Sequence, residues 1–179
     1  GRTFHALVVA VHLDAALRHD VEGSAPTDGQ RADHHQASAD FAAQVLRAEG
    51  WNEERIRAVQ HCICAHRFRG TGEPPATLEA RVLFDADKLD VLGAIGVVRV
   101  LGYAIQAGQP AYAEPSQRFL ETGEEEPGEP HSAYHEHLFK LRKVKDRLFT
   151  PAARAIAEQR HDFLEAYFTK LSSEFHGES

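Results

Sequence analysis

A chain of 179 residues, 42% hydrophobic and 26% charged, has the size and composition of one globular domain and can bury a core without disulfides. The formal net charge of −7 argues against a nucleic-acid duplex as partner, because that needs a basic surface; a small phosphorylated ligand needs only a local group of Arg and Lys. No run of about 18 apolar residues is present to span a membrane, and Gly1 to Ala10 lacks the charged-then-apolar layout of a secretory signal.

Helical periodicity prevails and strand alternation is nearly absent, which predicts an all-α bundle in a single domain over residues 1–179. A first helix is expected from about Thr3 to Arg18, stopping at His19-Asp20-Val21-Glu22-Gly23. Residues 24–37 read as a loop. Ser38 is expected to cap a short helix with Phe41, Val45 and Leu46 on one side, closed by Gly50. Asn52 caps the next helix, with Glu53 and Glu54 in its positive first turn, and that helix runs to about His66. After a loop marked by Gly70, Gly72, Pro74 and Pro75, Thr77 begins a long helical region through Leu92 into Gly93-Ala94-Ile95-Gly96, whose small residues suit close helix–helix contact. Residues 121–130 read as an acidic surface loop. Two closing helices follow at about 132–148 and 151–176, the second opened by Thr150-Pro151.

Twelve histidines are present, several beside Asp or Glu. His19-Asp20 follows an apolar helical stretch (Leu13, Ala16, Leu17). Successive helical side chains point about 100° apart, so this pair can share one metal only where the backbone is leaving its helix, as Gly23 permits. The plainer reading is a helix C-terminus stabilised by His. Asp85, Asp87 and Asp90 put three carboxylates into an otherwise apolar helix, which is costly unless they are paired or bind metal. A solvated face is the alternative. With Val82 as reference, Asp85 and Asp90 lie nearer the apolar stripe than Asp87 does.

Ile56, Val59, Ile63 and His66 share a helix face, so His66 points inward and His61 outward. Arg67 and Arg69 beyond it suit a phosphate-facing loop. Cys62 and Cys64 lie about 200° apart on a helix and cannot chelate one metal from it. They read as packing residues of a protein in a reducing cytoplasm. His131, His135 and His137 read as the edge of a solvated loop.

The order His…His-Asp…Asp resembles the pattern of the HD-domain phosphohydrolases. "AALRHDVEGS" looks like their metal-binding dyad, and "DADKLDVLGAIG" like the later helix with the last Asp ligand. With "AVQHCICAHRFRG" and "KLRKVKDRLFTPAARAIAEQRHDFLEAYF", the similarity to small stand-alone bacterial HD hydrolases extends over about residues 11–176. It implies an HD-type helical bundle and a divalent metal ion (Mn, Mg, Fe, Co, Ni or Zn) held by His5, His19, Asp20 and Asp87. The family's last ligand precedes x-Leu or x-Ile, as in Asp87-Lys88-Leu89, and this selects Asp87 against the angular reading.

The family's first His lies on an earlier helix, for which His5 and His12 are the candidates. "TFHALVVA" resembles that helix, yet one continuous helix would set His5 about 21 Å from His19. The expectation is therefore that a turn and part of a helix are missing near Ala10-Val11. The implied function is divalent-metal-dependent hydrolysis of a nucleotide or another small phosphate ester or anhydride. Asp20 would lie at its centre, His66 would orient the phosphate or hold a second metal, and Arg67, Arg69, Lys88 and Lys140 would counter phosphate charge. A regulatory HD module that binds a nucleotide without cleaving it is the alternative. An oxygen-using di-iron enzyme, with His66 and His61 or His34/His35 as further ligands, comes third. Glu158-x-x-His161 alone is too little for a ferritin-like site.

Overall fold

A computed structural model describes residues 34–66 and 73–178. The regular elements among these residues are all helices, with no strand, as the periodicity predicts. The first expected helix and the suspected break near Ala10-Val11 lie outside the described residues. The chain divides into two compact units, one ending at Asp87 and one beginning at Lys88.

In the first unit, α1 (His34–Ala48) packs on α2 (Glu53–Ala65). Ala39, Ala42, Ala43 and Leu46 of α1 meet Ile56, Val59, Cys62 and Ile63 of α2 in a closed core. Alanines on one side bring the two backbones close, and each large aliphatic buried there contributes about 1.5–3 kcal/mol. Phe41 and Val45, expected in this face, are only half-buried. Ser38 is no cap: α1 begins four residues earlier, and Ser38 faces the core with an unpartnered Oγ. The Ser-first reading overlooked that small residues at positions 38, 39 and 42 are what let α2 approach.

Gly50 closes α1 at φ +79°, a left-handed conformation, with the Trp51 amide on the Leu46 carbonyl at 3.0 Å. Asn52 Oδ1 then accepts the Arg55 amide at 2.9 Å, the expected cap of α2. The α3 helix (Leu78–Leu89) starts where Thr77 Oγ1 accepts the Ala80 amide at 3.1 Å. The expected long helical region is broken, since α3 stops at Leu89 and α4 (Gly93–Gln106) starts after three intervening residues. At that joint Gly93 takes φ +68°.

In the second unit, α4 packs on α7 (Pro151–Phe175), and the short helices α5 (Gln117–Thr122) and α6 (Ala133–Phe139) lie between them in sequence. Val97, Val100 and Ala104 of α4, Phe119 of α5, and Ala153, Ala157, Leu164 and Phe168 of α7 are buried. Thr150 Oγ1 accepts the Ala153 amide at 3.3 Å and Pro151 takes the first helical position, as read from sequence. The helix expected over 132–148 ends instead at Phe139 and gives way to two 3-10 turns, Leu141–Lys143 and Lys145–Arg147. Leu141, Val144 and Leu148 are nonetheless all buried; the tighter turn keeps Leu141 and Val144, three apart, on one side. Among the described residues no single helix is long and apolar enough to cross a membrane.

Candidate metal centre

The last two turns of α3 carry the acidic motif. Asp85 is 2% exposed, Asp87 half-buried and Asp90 exposed, while Lys88 is 8% exposed. Val82, the reference for the angular reading, is itself exposed, and the buried stripe runs through Ala80, Leu83 and Phe84. The acidic segment is thus more than a solvated face: two of its charged groups are withdrawn from water, and neither Asp85, Asp87 nor Lys88 is without a partner. Withdrawn charges of this kind persist only when paired or coordinated.

His66 ends α2 and points inward, 5% exposed, as the 56–59–63–66 spacing predicts. Its Nδ1 makes a short hydrogen bond to the Ile63 carbonyl. A carbonyl can only accept, so Nδ1 carries the proton of that bond. Histidines that ligate metals are commonly oriented in this way, with the other ring nitrogen donating to a carbonyl. His61 is not turned to solvent as expected, because residues 73–76 fold back over it. Nε2 accepts the Ala76 amide at 3.1 Å, and Nδ1 stands 3.2 Å from Glu73 Oε1. Cys62 is enclosed, and burial, then the Glu79 charge, pushes its thiol up to about 12, as suits a packing residue.

His5, His19, Asp20, Arg67 and Arg69 lie outside the described residues. Among the described residues, no three His, Cys, Asp or Glu side chains converge as metal ligands. Lys140 ends α6, with Nζ 3.4 Å from Glu136 Oε2.

The histidines of residues 131–137, read as a solvated edge, include two that are buried. His135 is fully enclosed, with Nδ1 2.7 Å from Ser132 Oγ and Nε2 3.1 Å from Glu129 Oε1. Glu129 also accepts the Ser116 amide at 2.6 Å, the Ser116 hydroxyl at 2.7 Å and the Glu126 amide at 2.7 Å. Burial opposes its charge, but the Ser116 and Glu126 amides, the Ser116 hydroxyl and His135 outweigh that and hold the carboxyl at about 2. His137, 3% exposed, stacks on Phe168 with ring centroids 4.3 Å apart. Its Nε2 lies 3.4 Å from Glu165 Oε1, and Arg142 Nη2 lies 3.3 Å from Glu165 Oε2. His161 Nε2 is 3.9 Å from the same Oε1, one turn away on α7. The partner of His137 is 28 residues on, beyond the reach of any local pattern. Glu158 instead pairs with Lys145 at 3.3 Å.

Burial, then the Arg142 and His161 charges, lowers His137 to about 4. A histidine depressed in the folded state stays neutral there while the unfolded chain takes up a proton. Its contribution to stability is therefore whole above about 6.5 and is lost as pH falls towards 4, by up to about 3 kcal/mol. His137→Phe should flatten the fall in urea-unfolding free energy between pH 6.5 and 4; an unchanged slope would exclude His137 as its source.

The all-helical fold with a withdrawn Asp/Lys motif closing its third described helix defines the class to which the comparisons then give a family. Residues 10–92 match the HD domain model. The chain is 30% identical over 166 residues to the uncharacterized protein YpgQ of Bacillus subtilis (strain 168), covering 91% of this chain and 71% of that protein. It is similar to the crystal structure of B. subtilis YpgQ in complex with ADP (TM-score 0.65, 27% identity, 93% of this chain and 76% of that one). It also shares the fold of an HD-superfamily hydrolase from Bacillus thuringiensis (TM-score 0.64, 24% identity, 98% and 84% covered). The chain belongs to the HD-domain family.

Proposed function

We propose that this protein, as one domain over residues 1–179, is a divalent-metal-dependent phosphohydrolase acting on a nucleotide or another small phosphate ester or anhydride. The observation that carries this reading is the withdrawn Asp85–Lys88 segment at the end of α3, inside the residues matched by the HD domain. Carboxylate and imidazole are donors that suit such a cation, and the described residues supply Asp87 and a His66 ring oriented by its Nδ1 bond to the Ile63 carbonyl. His5, His19, Asp20 and Asp87 would hold the ion, which could be Mn, Mg, Fe, Co, Ni or Zn. When bound, it supplies Lewis acidity and lowers the pKa of coordinated water towards about 7. His66 then orients the phosphate, or ligates a second ion. Arg67 and Arg69, with Lys88 and Lys140, hold the charge that accumulates on the phosphate oxygens. A reducing cytoplasm fits the free thiols of Cys62 and Cys64.

YpgQ holding ADP in a crystal is support for a nucleotide ligand, and it equally favours a regulatory module that binds without cleaving. A phosphate- and pyrophosphate-release screen over nucleotides with Mn²⁺ separates the two. Turnover that disappears on chelation is expected. Saturable nucleotide binding without product would establish the regulatory reading instead.

A further inference from the structure

The joint between α3 and α4 is anchored from α7. Arg160 donates from Nη1 to the Leu89 carbonyl at 2.6 Å, and the Leu92 amide reaches the same oxygen at 3.3 Å. The carbonyls of a helix's last turn lack partners within the helix, and a cation at that end is also favoured by the helix dipole. Gly93 makes the approach possible. At φ +68° it holds a left-handed conformation, and a Cβ there would stand 3.1 Å from Arg160 Cγ and 3.2 Å from Arg160 Cβ. Leu89 follows Asp87 by two residues in the same helix. Whatever fixes the Leu89 carbonyl therefore fixes the turn that presents Asp87 and Lys88.

We infer that Arg160 is a positioning residue for Asp87: its guanidinium sets the place of the last turn of α3 and so the point at which the carboxylate meets the cation. This rests on the reading of Asp87 as a metal ligand. Coordination tolerates displacements of only about 0.5 Å, so a turn released from its anchor should bind metal less well while remaining helical.

The test is Arg160→Met, which keeps the stem and removes the donors. Metal-free protein is titrated with Mn²⁺ by calorimetry, and phosphate release is followed as a function of Mn²⁺ concentration. The Mn²⁺ dissociation constant should rise by about tenfold, the lower end of what loss of a ligand's supporting contact costs. The rate should recover at saturating Mn²⁺, and the far-ultraviolet circular dichroism should match wild type. A lowered melting temperature with an unchanged Mn²⁺ dissociation constant would make Arg160 merely structural and overturn the inference. Should the Met variant fail to fold, Arg160→Gln is titrated in its place, with the same two outcomes. Wild-type protein that binds no Mn²⁺ overturns the metal-ligand reading and this inference together; wild-type binding with an unaltered variant overturns the positioning role alone.

Discussion

With Asp87 as the proposed ligand, Asp87→Asn should strip the protein of bound divalent metal and lower the proposed phosphohydrolase turnover by roughly 10³-fold or more, because an amide cannot replace the charge of a carboxylate. The fold should survive, since Asp87 is half-buried and Asn is tolerated in a helix at a cost of a few tenths of a kcal/mol. Asp85→Asn is the informative partner. Asp85 is the more buried carboxylate, yet the resemblance that selects the ligand points to Asp87. Metal content by atomic absorption should therefore fall in the Asp87 variant and stay near wild type in the Asp85 variant. The reverse pattern would move the ligand to Asp85 and vindicate the helical-wheel reading made from sequence.

Gly96→Ala should be the most damaging single methyl in the second unit. A Cβ at Gly96 would lie 2.2 Å from the Val91 carbonyl oxygen and 2.4 Å from its carbon, so backbone would meet backbone with no flexible side chain to move aside. Relief requires the 90–92 joint to open, and Leu92, fully buried, sits in that joint. A loss of about 3 kcal/mol or more is expected, which in a chain of this size lowers the melting temperature by roughly 6–12 °C. Gly102, with nothing within 4 Å of its added Cβ, is the internal control on the same helix. Gly102→Ala should be neutral or stabilising. Equal melting temperatures for the two variants would show that the joint yields.

Elements whose signals are local were legible in the sequence. Asn52 followed by two glutamates, and Thr150-Pro151, mark helix starts that depend only on neighbours within a turn. His66 was placed correctly because its face is defined by Ile56, Val59 and Ile63 on its own helix. What failed depends on partners distant in sequence. His61, on the outer side of its helix, is covered because residues 73–76 return over it, and His135 and His137 are buried by Glu129, Phe168 and Glu165. The break at Asp90–Leu92 is set by a left-handed Gly93 and by Arg160, 67 residues on, and nothing in the local pattern announces it. The choice of Asp87 came from resemblance; periodicity set Asp85 and Asp90 nearer the apolar stripe, and of these Asp85 is buried and Asp90 exposed.

Glu129 fastens the acidic segment at both its ends, to Ser116 on one side and to His135 on the other. The tip between Glu124 and Gly128 is exposed, and its base is closed on Glu129 by the Glu126 amide at 2.7 Å and by the Glu129 amide on the Glu126 carbonyl at 3.0 Å. Lengthening a loop whose ends are already fixed costs only about 0.6 kcal/mol per doubling. This places a permissive insertion point in the chain, at Pro127-Gly128. An epitope, a fluorophore-labelling sequence or a whole reporter domain could be spliced there while the helices of the molecule keep their own sequence.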